Sequence, residues 1–179
     1  MSFTKKFYTS DQHFGHANVI QHCSRPFADV DEMDAAMIAA WNAVVGRDDI
    51  VYCLGDFSCH GVERTREIFD ALRGRKHLVI GNHDVDSKGR LHKRLRDLHW
   101  AEPPSDAIET TDGGVPVYMH HYACRVWPSS HYGAVHFYGH SHGRLPALGR
   151  SRDVGVDVPD IQFQPRTFAE LIAIFPKES

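Results

Sequence analysis

The chain has 179 residues, of which 42% are hydrophobic and 24% are charged. These proportions exclude a disordered chain and suit a single hydrophobic core, so we expect one domain over residues 1–179. The net charge of -3, with histidine counted as neutral, gives no overall attraction to polyanions, so any nucleic-acid contact would need a local basic patch.

The sequence also bears on where the protein resides. No apolar run reaches the roughly 18 residues that a membrane span requires. The N-terminal segment MSFTKKFYTS lacks the apolar stretch of a secretory signal. We therefore expect a cytoplasmic protein that does not interact with membranes.

Short runs rich in Val, Ile, Tyr and Phe predict buried strands. In chain order they cover residues 6–9, 50–54, 78–80, 115–119 and 135–138. Each run ends abruptly in polar residues that include Asp, Asn or His. Polar side chains are therefore predicted to gather at the carboxyl ends of the strands, where α/β sheets form their sites.

Helical signals lie between and after these strands. Apolar residues at helical spacing predict helices over about residues 30–45 and over residues 65–72. Thr167 and Glu170 form a capping box that opens a last helix, which we expect to close the core. The turn at residues 112–114 separates two strand-like runs and predicts a hairpin. The fold is therefore predicted to be mixed α/β.

The polar clusters become informative when they are taken together. The chain contains 14 histidines, and several lie in short motifs with Asp, Asn or Gly. A single motif of this kind often arises by chance, whereas five in a fixed order rarely do. The order is Asp11-x-His13, Gly55-Asp56, Gly81-Asn82-His83-Asp84, a histidine that ends a strand, and Gly139-His140-x-His142.

This series of motifs resembles the signature of the calcineurin-like metallophosphoesterase family, and the resemblance spans nearly the whole chain. Three stretches, residues 10–20, 25–27 and 125–143, look closest to a branch of small bacterial and phage phosphoesterases. The resemblance implies a four-layer αββα fold, in which two packed mixed β-sheets are flanked by helices.

The same resemblance implies two divalent transition-metal ions. Carboxylates, an amide oxygen and imidazoles suit manganese, our first choice, or iron, nickel, cobalt or zinc, and are too nitrogen-rich for magnesium or calcium. The family pattern assigns Asp11, His13 and His142 to one ion, Asn82, His140 and a strand-end histidine to the other, and Asp56 to both as the bridge.

The strand-end ligand has two candidates, because His120 and His121 are neighbours whose side chains point to opposite faces of a continuing strand. The apparent relatives usually have histidine followed by tyrosine at this position. His121 and Tyr122 match that pair, so we predict that His121 is the ligand and that His120 is not.

The implied reaction is hydrolysis of a phosphate ester by a metal-bound hydroxide. His83 matches the family's non-ligand histidine, which assists the leaving group. Asp84 follows it directly and is predicted to orient His83 or to hold it protonated. The alternative is that His83 only supports Asn82.

Candidate substrate-binding residues are His16, Arg25 and Arg125, which lie in the stretches shared with the apparent relatives. Each arginine could instead form a structural ion pair or stay exposed. The basic run at residues 88–96 could contact a nucleotide or an RNA end, although a solvated helix face is the preferred interpretation.

One departure narrows the substrate class. Phosphoprotein phosphatases of the superfamily have Asp-Arg-Gly after the Gly-Asp motif, whereas this chain has Cys59-His60-Gly61, and we expect His60 to be a surface residue. A phosphoprotein substrate therefore loses support. We favour a small phosphate-ester substrate, a nucleotide or a similar diester or monoester. The alternatives are a nuclease acting on nucleic-acid ends and a non-catalytic scaffold of the same fold. The sequence indicates no oligomeric state.

Overall fold

A computed structural model describes residues 4–175. The prediction of a single domain over residues 1–179 extends beyond these limits and stays a prediction. Within the described residues the chain forms eight strands and five α-helices. The strands are β1 (Lys6–Thr9), β2 (Ile50–Cys53), β3 (Arg75–Leu78), β4 (Ala107–Asp112), β5 (Val115–His120), β6 (Val135–Tyr138), β7 (Ser151–Asp153) and β8 (Arg166–Thr167). The helices are α1 (Ala17–His22), α2 (Val30–Val44), α3 (Val62–Ala71), α4 (Lys93–Arg96) and α5 (Phe168–Ile172).

The strands form two four-stranded sheets, each of mixed direction. The first has the order β3-β2-β1-β8, with β1, β2 and β3 parallel and β8 antiparallel to β1. The second has the order β4-β5-β6-β7, in which β4 and β5 form the predicted hairpin and the later pairs are parallel. The predicted mixed α/β fold, two mixed sheets flanked by helices in the αββα arrangement, is confirmed.

Alternating side chains of the first sheet pack in two separate apolar cores, because successive residues of a strand point to opposite faces. Phe7 of β1 packs in the core that contains Trp41 of α2. Its neighbour Tyr8 packs in the core between the sheets, where its ring lies 4.9 Å from that of Phe137. The two sheets are therefore held face to face. Helices α1 to α4 cover the outer face of the first sheet, and α5 packs in the core that contains Tyr8 and Phe137.

The predicted boundaries are close for most elements. β1 and β6 have the predicted limits, and α2 begins at Val30, where the Asp29 side chain accepts a hydrogen bond from the Glu32 backbone. Glu170 likewise accepts a hydrogen bond from the backbone N–H of Thr167, as a capping box requires. The predicted strand at residues 78–80 lies earlier, at Arg75–Leu78. None of the described helices has the length and apolar character needed to cross a bilayer.

Candidate metal centre

The segments that follow the strands meet along one edge of the two sheets. The backbone N–H of Asp11 donates to the carbonyl of Gly55, and that of His13 donates to the carbonyl of Asp56. In the second sheet, the N–H of Gly139 donates to the carbonyl of His121. Polar segments that are far apart in sequence therefore form one continuous edge, as the strand-end pattern predicted.

The first candidate ligand group contains Asp11, His13 and His142, whose ligand atoms lie within 4.8 Å of one another. Within the described residues, the buried Nε2 of His13 has no hydrogen-bond partner. It faces Oδ2 of Asp56 at 3.5 Å. Leaving a buried polar nitrogen unpaired costs free energy, and a cation at this position would remove that cost.

The second group contains Asp56, His121 and His140, again with ligand atoms within 4.8 Å. Nδ1 of His121 donates to the carbonyl of Leu54 at 2.7 Å, so Nε2 carries the lone pair of the neutral ring. This Nε2 lies 3.0 Å from Oδ1 of Asn82 and 3.5 Å from Oδ2 of Asp56. In the tautomer with the proton on Nδ1, this nitrogen and the two oxygens are all acceptors, a donor set that fits a cation.

Asp56 lies between the two groups. Its Oδ2 is 3.5 Å from Nε2 of His13 and 3.5 Å from Nε2 of His121. Its Oδ1 accepts a hydrogen bond from the backbone N–H of His83 at 2.8 Å. One buried carboxylate therefore faces both groups, which is the position that a bridging ligand requires.

The structure separates the two neighbouring histidines. His121 is fully buried within the second group. Nδ1 of His120 instead accepts a hydrogen bond from the backbone N–H of Tyr122, and its ring stacks with that of Tyr118. His121 thus lies within the second group and His120 lies outside it, and the predicted ligand role of His121 stays a prediction.

Unusual backbone conformations are concentrated at the predicted ligands. Nine described residues other than glycine have a positive φ between 48° and 65°, and five of them are predicted metal ligands: Asp11, His13, Asp56, His140 and His142. L-residues rarely adopt this left-handed conformation, and each instance costs on the order of 1–3 kcal/mol. The surrounding contacts must therefore hold the ligand backbone in place.

The motif glycines provide space beside the ligands. A Cβ atom on Gly81 would overlap the Asp56 side chain, and a Cβ atom on Gly139 would overlap Ser10 and Asp11. Gly55 is equally constrained, because its Cβ would overlap the His121 ring. These glycines allow one strand-end backbone to lie directly against the ligand of another.

Burial changes the protonation of the first group. It lowers the pKa of His13 to about 2, assisted by the neighbouring His142 and Arg25. Burial also raises the pKa of Asp11 well above its usual value, and this increase is offset in part by His142. His13 is thus neutral and able to bind a metal, while in the absence of a cation Asp11 is driven toward its protonated form.

Two carboxylates that the sequence analysis missed hold the His142 segment. Oδ2 of Asp157 pairs with Nδ1 of His142 at 2.7 Å, which leaves Nε2 of His142 for the metal side. Asp153 accepts hydrogen bonds from the backbone N–H groups of Gly143 and Gly155 and from the hydroxyl of Ser141. Asp153 ends β7, a strand without an apolar residue, and Asp157 follows it by four residues, so no apolar run announced either carboxylate.

Arg25 is a buried structural residue, which corrects its predicted role in substrate binding. Its side chain has no exposed surface and forms an ion pair with Asp157 through Nε at 2.8 Å. Its terminal nitrogens donate to the backbone carbonyls of Asp11 and Gln12. Arg25 therefore holds the backbone of the Asp11-x-His13 motif in place.

Asp84 is also placed differently from the prediction. Its carboxylate accepts hydrogen bonds from the backbone N–H groups of Asp56, Phe57 and Gly81. No hydrogen bond joins it to His83 among residues 4–175. Asp84 therefore ties the segments after β2 and β3 together and does not orient the His83 imidazole.

A cavity of about 740 Å³ opens over the two ligand groups and is lined by both His16 and His83. The His83 ring lies 5.1 Å from the ring of His13 and 5.8 Å from that of His16. Arg125 does not line this cavity. It lies in a separate, mainly apolar groove of about 360 Å³, so its predicted substrate contact is not supported.

The neighbouring polar residues of the second motif have structural contacts. His60, which we expected at the surface, is mostly buried, and its Nε2 lies 2.6 Å from the fully buried carboxylate of Asp34. Arg94, in the basic run, donates to the carbonyls of Ser58 and His83. Arg94 thus holds the backbone next to the centre directly, whereas His60 pairs with Asp34, which in turn accepts a hydrogen bond from the backbone N–H of Gly15.

Comparison with known proteins places the chain in a family. No family model matches it. Uncharacterized protein MJ1445 of Methanocaldococcus jannaschii is 45% identical over 128 residues, which cover 69% of this chain and 72% of that protein. The chain belongs to the family of this archaeal protein.

Two further likenesses are more limited. Gene 66 protein of Mycobacterium phage L5 is 38% identical over 97 residues, 52% of this chain and 44% of that protein, so the chain spans less than half of the phage relative. A protein of unknown function from Aquifex aeolicus, AQ665, has the same fold with a TM-score of 0.69 and 22% identity, over 94% of this chain and 98% of that one. Membership of a small bacterial and phage branch stays a prediction.

Replacing Asp84 by Asn should lower the free energy of unfolding of the metal-free protein by about 1–3 kcal/mol. The amide nitrogen of Asn would face a backbone N–H group that now donates a hydrogen bond to the carboxylate. Urea denaturation measures this change. Asp48→Asn, at an exposed aspartate, is the matched control and should stay within about 0.5 kcal/mol of the wild type. Unchanged stability with reduced turnover in Asp84→Asn would contradict the backbone role and restore the predicted role toward His83.

Proposed function

We propose that this protein is a metal-dependent phosphoesterase whose two divalent transition-metal ions share Asp56. The observation that supports the proposal most strongly is the unpaired, buried Nε2 of His13, which faces the same Asp56 oxygen as Nε2 of His121. Two such ions would lower the pKa of a bound water and offset charge on the phosphoryl oxygens.

Each ion would be held by one of the two groups. Asp11, His13 and His142 would hold the first, Asn82, His121 and His140 would hold the second, and Asp56 would contact both. Manganese is our first choice, with iron, nickel, cobalt or zinc as alternatives, because the donors are imidazoles, carboxylates and one amide oxygen.

His16 is proposed to donate a hydrogen bond to the substrate. When Nε2 of His13 binds a metal, its Nδ1 carries the proton, and this Nδ1 lies 3.3 Å from Nδ1 of His16. Nδ1 of His16 then accepts a hydrogen bond from Nδ1 of His13, and the proton of the neutral His16 ring is on Nε2. Burial lowers the pKa of His16, which favours this neutral form.

His83 is proposed to donate a proton to the leaving oxygen. Its backbone N–H is bound by Asp56 and its carbonyl by Arg94, while the exposed ring lines the cavity. The backbone is thus fixed on both sides of the residue, and the imidazole is left available to the substrate. A positioned acid of this kind contributes about 10² to 10⁴ in rate.

Thorough chelation should abolish hydrolysis of bis-p-nitrophenyl phosphate or p-nitrophenyl phosphate, and Mn²⁺ or another of the named metals should restore it. Asp56→Asn should bind the metals more weakly and stay inactive at metal concentrations that reactivate the wild type, whereas the control Asp48→Asn should behave as the wild type. The measurements are metal content and absorbance of p-nitrophenol. Turnover that survives chelation contradicts the proposal, and a folded, metal-loaded protein without turnover on any ester favours the scaffold alternative.

His83→Ala should retain its metals and lose about 10² to 10⁴ in turnover on an ester with a poor leaving group, such as an alkyl or nucleoside ester. The loss should be smaller on an activated aryl ester, because that leaving group departs with little need of a proton. His131→Ala, at an exposed histidine outside the cavity, is the control. Equal losses on both esters would assign His83 to phosphoryl or substrate binding, and loss of metal would assign it to support of Asn82.

A further inference from the structure

One wall of the cavity contains no predicted ligand. It is formed by α1, which contributes Asn18, Gln21, His22 and the buried Val19, and by Arg144. Asn18, Gln21 and His22 are spaced three and four residues apart and so lie on one helix face. Among the residues that line the cavity, the only carboxylate is Asp56. This wall therefore offers three polar side chains and one guanidinium, and no carboxylate.

The charge of Arg144 is available to a ligand. Its Nη2 donates to the carbonyl of His22 at 2.6 Å, and its Nη1 lies 3.5 Å from Nε2 of the His22 ring. Among residues 4–175, no carboxylate lies within ion-pair distance of it. Arg25 and Arg152, in contrast, pair with Asp157 and Asp160. The guanidinium of Arg144 is thus oriented by His22 and has no carboxylate partner in the described part of the chain.

Arg144 is also held close to the candidate metal centre. It follows the predicted ligand His142 by two residues, so the two Cα atoms are within about 7 Å. The intervening Gly143 donates its N–H to Asp153 at 2.8 Å, and the N–H of Arg144 donates to the carbonyl of Ser141 at 2.9 Å. The position of Arg144 relative to His142 is therefore fixed by the backbone.

We propose that Arg144, with the polar face of α1, binds a second phosphate group of the substrate, beyond the ester that is hydrolysed. This inference rests on the proposed phosphoesterase function and names its substrate class: phosphate esters that carry another phosphate, as in a nucleoside bisphosphate or a phosphorylated nucleic-acid end. A guanidinium presents paired donors that match phosphate oxygens, and a cavity of about 740 Å³ has room for more than one phosphoryl group.

The test compares two inhibitors that differ by one phosphate. Adenosine 3′,5′-bisphosphate and adenosine monophosphate would compete with bis-p-nitrophenyl phosphate on the Mn²⁺-loaded enzyme, and calorimetry would measure their binding directly. We expect the bisphosphate to bind the wild type at least about tenfold more tightly, the contribution of a charge-assisted pair. Arg144→Gln should remove this preference while its turnover of bis-p-nitrophenyl phosphate stays within about twofold.

Two further variants sharpen the comparison. Arg144→Lys keeps the charge but loses the paired donors, so it should retain part of the preference. Arg125→Gln removes an exposed arginine outside the cavity and should retain all of it. Equal weakening of both inhibitors in Arg144→Gln, or a wild type that does not distinguish them, would overturn the inference.

The outcomes separate this inference from the proposed function. A protein that hydrolyses bis-p-nitrophenyl phosphate but shows no bisphosphate preference refutes the Arg144 site alone. A protein that binds the bisphosphate through Arg144 but hydrolyses no ester refutes the function alone. If a short 5′-phosphorylated oligonucleotide binds more tightly than the bisphosphate, and this gain also depends on Arg144, then the second phosphate belongs to a nucleic-acid chain. Equal binding assigns it to a free nucleotide.

Discussion

Mutual repulsion among buried acceptors around Asp56 is the constraint on which the rest of the centre depends. The carboxylate lies between two histidine nitrogens at 3.5 Å, and one of those nitrogens has no partner in the described structure. Burial has already raised the pKa of Asp11, and the carboxylates of Asp56 and Asp153 raise it further. Burying such a cluster costs free energy unless a proton or a cation offsets its charge, and the proposed divalent cations would do so.

The surrounding structure keeps the acceptors in place without neutralising them. Asp84 accepts hydrogen bonds from backbone N–H groups of the strand-end segments, and so does Asp153. Arg25 donates to two backbone carbonyls of the first segment and also pairs with Asp157. These bonds hold several ligands in left-handed conformations that they would not adopt alone. Bonds within the protein itself thus hold the candidate centre, and such preorganisation would reduce the reorganisation that the proposed catalysis requires.

The sequence was sufficient to predict the strand-end segments, because apolar runs followed by Asp, Asn or His combine a strong local signal with a fixed motif order. It was insufficient for β7 and β8, which are three and two residues long and lack apolar alternation. Asp153 and Asp157 were missed with them. Arg25 and Asp84 were misassigned because a motif shows that a charged residue is present and does not show whether its partners are backbone groups or substrate.

The shared Asp56 is tested most directly by crystals grown with Mn²⁺ and measured near the manganese absorption edge. We expect two anomalous peaks about 3.5–4 Å apart, both within bonding distance of the Asp56 carboxylate. One peak should lie beside His13 and the other beside His121. A single peak, or two peaks of which one does not contact Asp56, would contradict it.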